Sequence, residues 1–194
     1  MLFTRLFIKD LFWSLIFILS VYGITHNPIT QPKPQPIPGN WSIQIMQHPL
    51  LFGITGHNYL ALRNQDGDIV EELHGLATDG ITGQWKYIGT KSTDVLKVWE
   101  FSGPRYYLAE KAYPGKILTE GTWQNMKTLW DMARGCKKPI NDKNIPYPML
   151  GVNLNGETEN SNSVAYTLSL CMGFDAKHVG LVTPGEKKNL LQTN

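Results

Sequence analysis

The feature that most constrains this chain's fold is a pair of β-prone runs joined by a short turn. The runs are Tyr59–Arg63 and Ile69–His74, and they flank the segment Asn64-Gln-Asp-Gly-Asp68. Asp-Gly between runs of this kind is a strong hairpin signal, because glycine readily adopts the positive φ that tight hairpin turns need. We therefore expect at least one pair of antiparallel strands.

The same hairpin predicts where two histidines lie. If residues 64 and 67 flank a two-residue turn, His57 faces His74; if Asp66-Gly67 is itself the turn, Tyr59 faces His74. The two registers differ by an even number of positions, and side chains alternate between the two faces of a strand. Either register therefore puts His57 and His74 on one face of the sheet.

The remaining pattern predicts an α+β fold: a small antiparallel sheet or half-barrel packed against two to three helices. Alternating apolar and polar positions indicate a first strand from Trp41. Further strands are predicted at 84–88, 94–101, 105–110 and 179–182. Apolar residues at helical spacing predict helices over about 122–135, between Thr122 and Gly135, and over 161–172 before Gly173. Residues 139–156 are loop-like.

The N-terminal region predicts export. Residues 11–24 form an uncharged apolar run preceded by Arg5 and Lys9, which is typical of a secretory signal peptide or a hydrophobic membrane-anchor helix. Positive charge on its N-terminal side places the rest of the chain on the extracytoplasmic side of the membrane. The chain then divides into this segment (1–26), a linker with five prolines (27–39), a domain (40–185) and a polar tail (186–194).

Composition removes several classes of function. Hydrophobic residues make up 42% of the chain, which is enough for an ordinary core. The net charge is only +2 and the basic residues are scattered, so no nucleic-acid partner is expected. Two cysteines, Cys136 and Cys171, cannot form a zinc ligand set alone, although they can form one disulfide if the domain is exported. The histidines lack metal-ligand spacing, and we expect neither a metal nor another cofactor.

A helix start supplies the candidate nucleophile. Nucleophilic catalysis needs a hydroxyl or thiol, a base within hydrogen-bond reach and a group that orients the base. Ser161, His57 and His74 can fill these roles, with backbone N–H groups and the side chains of Asn160, Asn162 and Ser163 as positioning groups. The alternative is that Ser161 or Ser163 simply caps the helix.

The order of these motifs resembles the circularly permuted papain-like proteins, which include the lecithin:retinol acyltransferase-like and NlpC-type families. In those families an Asn-Cys-x-x-Phe motif starts the helix. Residues 160–164, Asn-Ser-Asn-Ser-Val, overlay it with Ser161 at the cysteine position and Val164 at the aromatic position. His57 matches the histidine that begins its strand, and His74 the third polar residue. The chain is most similar to bacterial members with an Asn-Ser-Asn-Ser/Thr motif.

The resemblance implies a hydrolase or acyltransferase that acts on an amide or ester bond in the cell envelope, with a peptide or lipid acyl substrate. Serine at the cysteine position leaves a second hypothesis open, a catalytically inactive binding module of the same fold. A secreted effector with the same chemistry is a third. We do not expect Cys171 to be the nucleophile, because it lies about three turns from the start of the helix.

Overall fold

The structure is a computed structural model that describes residues 39–50, 55–103, 113–152, 158–176, 180–181 and 183–192. These residues all belong to one compact unit. The predicted anchor, the linker up to residue 38, the strand predicted at 105–110 and residues 179 and 182 of the one predicted at 179–182 lie outside the described residues. No helix within the described ranges is long and apolar enough to cross a membrane.

An antiparallel six-stranded sheet forms the centre of the fold, so the α+β prediction is confirmed. Its main path has the order β4-β3-β2-β1-β6, and β5 also pairs with β3. The strands are β1 Trp41–Leu50, β2 Thr55–Arg63, β3 Ile69–Asp79, β4 Trp85–Lys86, β5 Asp94–Ser102 and β6 Tyr113–Gly121.

The predicted hairpin forms in the second of the two expected registers. Tyr59 faces His74, and the register slips by one residue only at the end next to the turn. Gly67 has a φ of +84° and donates its N–H to the carbonyl of Asn64. His57 and His74 consequently lie on one face, as alternation predicted.

Among the described residues, three α-helices follow the sheet: α1 Trp123–Gly135, α2 Lys137–Asp142 and α3 Ser161–Cys171. The start of α1 is confirmed, since the side chain of Thr122 accepts a hydrogen bond from the N–H of Asn125. Gly173, with a φ of +86°, follows α3 as expected. Within α2, Pro139 lies in the first turn, where its missing N–H has no intrahelical role.

Two elements differ from the sequence prediction. The short helix α2 lies partly in the segment expected to be a loop, and β6 was not predicted because Pro114 and Gly115 argue against a strand. β6 lies at the edge of the sheet, where a proline is tolerated because one side of the strand needs no partner. A Cβ on Gly115 would meet the carbonyl oxygen of Ile45 at 2.7 Å, so glycine permits the close pairing of β6 with β1.

The two faces of the sheet have different neighbours. Leu60 and Leu73 form a cross-strand pair on the face that packs with Val164 and Leu168 of α3. At β2 and β3 the other face is buried too, since His57, Tyr59 and His74 on that face are almost inaccessible to solvent.

Two features fasten α3 to the rest of the fold. Cys136 and Cys171 form a disulfide that joins the end of α1 to the end of α3. The C-terminal segment packs along α3, where Thr167 Oγ1 accepts a hydrogen bond from the N–H of Leu190 at 2.9 Å. Leu190 is buried in the core, so the compact part extends beyond the predicted boundary at residue 185.

Candidate functional site

A line of three buried ionisable side chains runs across β2 and β3. His57 Nε2 lies 3.0 Å from His74 Nδ1, and His74 Nε2 lies 3.0 Å from Glu72 Oε2. Glu72 and His74 occupy alternate positions of β3 and so share a face, and His57 reaches them from β2 because Tyr59 is opposite His74. The structure thus brings both predicted histidines together with Glu72, which alternation along the strand also puts on the face of His74 as a possible orienting acid.

Aromatic packing holds the rings of this line nearly parallel. The ring of Tyr59 stacks on His74 with a centroid distance of 4.4 Å and on His57 at 5.9 Å. Phe101 of β5 contacts His74 edge-on. The imidazoles therefore have little freedom to rotate away from each other.

Burial sets the protonation state of the outer histidine. His57 is 3% exposed and His74 is fully buried. The pKa of His57 is well below its ordinary value, first because burial disfavours the charged ring and then because His74 and His48 lie nearby. We conclude that His57 is neutral at neutral pH and has an unprotonated ring nitrogen.

His48 is a third histidine at this site that the sequence did not indicate. Pro49 follows it, which in the sequence is typical of an exposed, turn-like segment. Instead it lies in β1 directly opposite His57 and is 3% exposed. The signal that could have found it is the pairing of β1 with β2. Nevertheless, no three or more His, Cys, Asp or Glu in the described part of the chain are arranged to hold a metal ion.

Ser161 lies on the other side of the sheet. A Cβ on Gly75 would come within 2.9 Å of Ser161 Cα and 2.6 Å of Val164 Cβ, so Ser161 is on the face toward which position 75 points. His74 precedes Gly75 and points to the opposite face. The structure therefore does not bring Ser161 together with His57 and His74.

The hydroxyl of Ser161 has a different partner. Burial raises the pKa of Tyr147, and hydrogen bonds from the side chain and the backbone N–H of Ser161 partly offset this effect. Ser161 is 4% exposed. The interaction with Tyr147 was not predicted from the sequence.

The other residues predicted at the helix start stabilise the fold. Asn160 accepts hydrogen bonds from two backbone amides, and its cap is reciprocated because Ser163 Oγ accepts from the N–H of Asn160. Asn162 Oδ1 accepts from the N–H of Asn58 at 2.8 Å. Asn160 and Asn162 each donate to the carbonyl of Pro184. The motif does contain a helix cap, but the N-cap residue is Asn160; of the two serines expected as caps, Ser163 completes the capping box.

A second charged cluster lies at the far end of β3 and β5, beside a cleft of about 570 Å³. Asp79 pairs with Lys91 at 2.9 Å, and Lys86 bridges Asp79 and Asp94. Both carboxylates also accept hydrogen bonds from backbone amides of the adjoining loops. These groups satisfy one another, so the cluster fastens the loops and offers no group of its own to a ligand.

The Glu72–His74–His57 line can take up and return a proton. His57 Nε2 is hydrogen-bonded to His74, so Nδ1 is the ring nitrogen of His57 that remains for proton exchange. A neutral imidazole backed by a second polar group is the arrangement of a general base. Comparisons of the chain with models of known protein families, with curated proteins and with solved structures found no match.

Proposed function

We propose that this chain is an exported or membrane-anchored hydrolase or acyltransferase that acts on an amide or ester bond in the cell envelope, with His57 as its general base. The observation that carries the proposal is the 3.0 Å contact between His57 Nε2 and His74 Nδ1 in a buried line. Burying ionisable groups is costly, and such groups cluster at functional sites.

The proposed step transfers one proton. His57 Nδ1 accepts a proton from water or from a substrate hydroxyl as its oxygen attacks the carbonyl carbon. The proton then passes to the leaving nitrogen or oxygen as the amide or ester bond breaks. General-base catalysis of this kind typically contributes about 10²–10⁴-fold in rate. This step assigns no part to Ser161, because Ser161 lies on the opposite face of the sheet from His57.

The papain-like arrangement and the envelope location are part of the same proposal. Motif order supports the former, since His57 and His74 precede a helix that begins with Asn160 and Ser161. The apolar run at 11–24 and the Cys136–Cys171 disulfide support export, because disulfides persist mainly in oxidising compartments. A peptide or a lipid acyl chain is the proposed substrate.

Hydrolysis assays on matched variants test the proposal. Model esters and peptidoglycan peptides are incubated with wild type, His57→Gln and Ser161→Ala. We expect the His57 variant to lose about 100-fold or more in kcat/KM, while the Ser161 variant keeps wild-type activity. Equal activity of His57→Gln and wild type would exclude His57 as the base, and loss of activity in Ser161→Ala alone would return the serine to the mechanism.

A specific observation favours a second candidate, the catalytically inactive binding module. The polar groups at the start of α3 are all used within the fold, by Tyr147, Asn58 and the C-terminal segment. This candidate predicts no hydrolysis by wild type and no labelling by a fluorophosphonate serine probe. It also predicts that peptidoglycan peptides or acyl lipids bind equally well to wild type and His57→Gln, as titration calorimetry would measure.

A further inference from the structure

Glu72 stands at the inner end of the histidine line, where it controls more than its direct neighbour. We propose that Glu72 fixes the tautomers of both His74 and His57, so that the free lone pair of the line is on His57 Nδ1. Two contacts carry the inference: Glu72 Oε2 to His74 Nε2 at 3.0 Å, and His74 Nδ1 to His57 Nε2 at 3.0 Å.

The hydrogen bonds pass the choice of tautomer from Glu72 to His74 and then to His57. An ionised carboxylate can only accept, so His74 must carry its proton on Nε2. Neutral His74 then has a lone pair on Nδ1, which accepts a hydrogen bond from Nε2–H of His57. Neutral His57 is left with its lone pair on Nδ1. One carboxylate therefore orders two rings, of which it contacts only the first.

The surroundings favour this arrangement over its reverse. The side chains of Glu72 and His74 are fully buried, and burial alone disfavours an ionised carboxylate, so this arrangement depends on a positive charge nearby. Arg63 supplies a positive charge near the carboxylate. Burial lowers the pKa of Arg63, and the charges of Tyr59, Glu72 and Asp68 partly offset this shift. The reverse arrangement requires a protonated Glu72 that donates to His74, and it puts a hydrogen on His57 Nδ1.

The consequence for catalysis rests on the proposed function. If His57 is the general base, Glu72 is a positioning residue that acts through His74 and does not touch the substrate. Glu72→Gln introduces an amide that can donate to His74 Nε2, which moves the hydrogen of His74 to Nδ1 and that of His57 to its own Nδ1. The base atom would then be blocked, and we expect kcat to fall by about 10²–10⁴-fold with KM little changed.

Nuclear magnetic resonance of the imidazole nitrogens tests the inference without any substrate. The full chain is labelled with ¹⁵N-histidine in detergent micelles at pH 8, and its five histidines are assigned with His57→Gln and His74→Gln. In wild type we expect both rings to be protonated at Nε2 and unprotonated at Nδ1. Protonation of wild-type His57 or His74 at Nδ1 would overturn the inference.

Two variants complete the test. Glu72→Gln should lose the uniform Nε2–H state at both rings, and an unchanged spectrum would contradict the inference. Glu71→Gln is the matched control, because Glu71 is adjacent but points to the other face, toward Trp130 and Arg134. It should leave both tautomers unchanged. If Glu72→Gln does not fold, Glu72→Asp keeps an acceptor-only group and should retain both Nε2–H states.

The two proposals fail in different ways. A protein with the expected tautomers but no hydrolytic activity would refute the proposed function and leave the role of Glu72 intact. Activity that depends on His57 but not on Glu72, in a protein with other tautomers, would refute only the inference.

Discussion

At the residue scale, His57 is a histidine that the fold keeps uncharged. Its pKa in the folded state is well below that of about 6.5 in an unfolded chain, because of burial and then of His74 and His48. The unfolded chain therefore binds the proton more readily. The stability that His57 provides is complete above pH 6.5 and decreases as the pH falls below that value.

We predict that the free energy of unfolding decreases by up to about 1.4 kcal/mol per pH unit below pH 6.5 on account of His57. Urea denaturation between pH 7.5 and 5 measures it. His57→Gln cannot titrate and should give a flatter profile in this range. Some carboxylates have a lowered pKa in the folded protein, such as that of Asp131 beside Lys127 and Arg134. They change the stability only at lower pH, near the pKa of about 4 that they have in the unfolded chain. Parallel profiles for variant and wild type would contradict the prediction.

Two buried tyrosines make a second test at this scale. Tyr147 accepts hydrogen bonds from Ser161, whereas the hydroxyl of Tyr59 is buried with no hydrogen-bond partner among the described residues. Tyr147→Phe should destabilise the fold by about 1–3 kcal/mol, because it leaves a buried N–H and hydroxyl unpaired. Tyr59→Phe removes an unsatisfied group and should be neutral or stabilising. Urea midpoints measure both, and equal losses would show that Tyr59 also has a partner.

At the scale of secondary-structure elements, Gly75 controls how α3 docks on β3. A Cβ there would lie 2.6 Å from Val164 Cβ and 2.9 Å from the Cα of Ser161, both closer than such atoms approach. The helix backbone cannot yield as a flexible side chain does. The absence of a side chain at position 75 therefore lets the start of α3 approach the sheet closely, on the face opposite the histidine line.

We predict that Gly75→Ala destabilises the fold by about 1–3 kcal/mol, as overpacking typically does. Gly135→Ala is the control, since Gly135 lies in α1 with no neighbour within 4 Å of a Cβ, and it should be neutral or slightly stabilising. Thermal unfolding measures both. Adding Val164→Ala to Gly75→Ala should recover part of the loss but not all, because the contact with Ser161 Cα persists. Full tolerance of Gly75→Ala would mean that α3 can move away from β3.

The sequence predicted the elements better than the side on which they pack. Alternation within one hairpin is local, so it placed His57 and His74 on one face correctly. It could not tell which face meets α3, because residues 56–62 are all buried and both faces carry apolar side chains. The prediction that Ser161 lies beside the histidines depended on motif order alone. His48 required the pairing of β1 with β2, and the sequence between these strands, residues 51–54, has no hairpin signal of the Asp-Gly kind.

At the scale of the whole molecule, the sheet separates two tasks. One face carries Glu72, His74 and His57, and the other binds the helices and the C-terminal segment. The cap at Asn160, the bonds of Asn162 and the disulfide all lie on the helical side. Perturbing the helical side should therefore lower stability before it alters the geometry of the histidine line.

The disulfide makes this separation testable. Cys136 and Cys171 close a loop with a sequence separation of 35 between the ends of α1 and α3. A crosslink of this length restricts the unfolded chain and is expected to stabilise the fold by about 2–4 kcal/mol. We predict that reduction lowers the urea midpoint accordingly, while the folded protein keeps the imidazole resonances of His57 and His74 that it shows when oxidised.

The matched control is the double variant Cys136→Ser, Cys171→Ser, which should unfold at the midpoint of the reduced wild type and not respond to reductant. A reduced wild type that unfolds like the oxidised protein would show that packing of α1 on α3 suffices without the crosslink. Changed histidine resonances in the folded, reduced protein would show that the two faces of the sheet are coupled. Because the two faces of β2 carry separate hydrophobic clusters, one with α3 and one with Tyr59, we expect a lower midpoint with unchanged resonances.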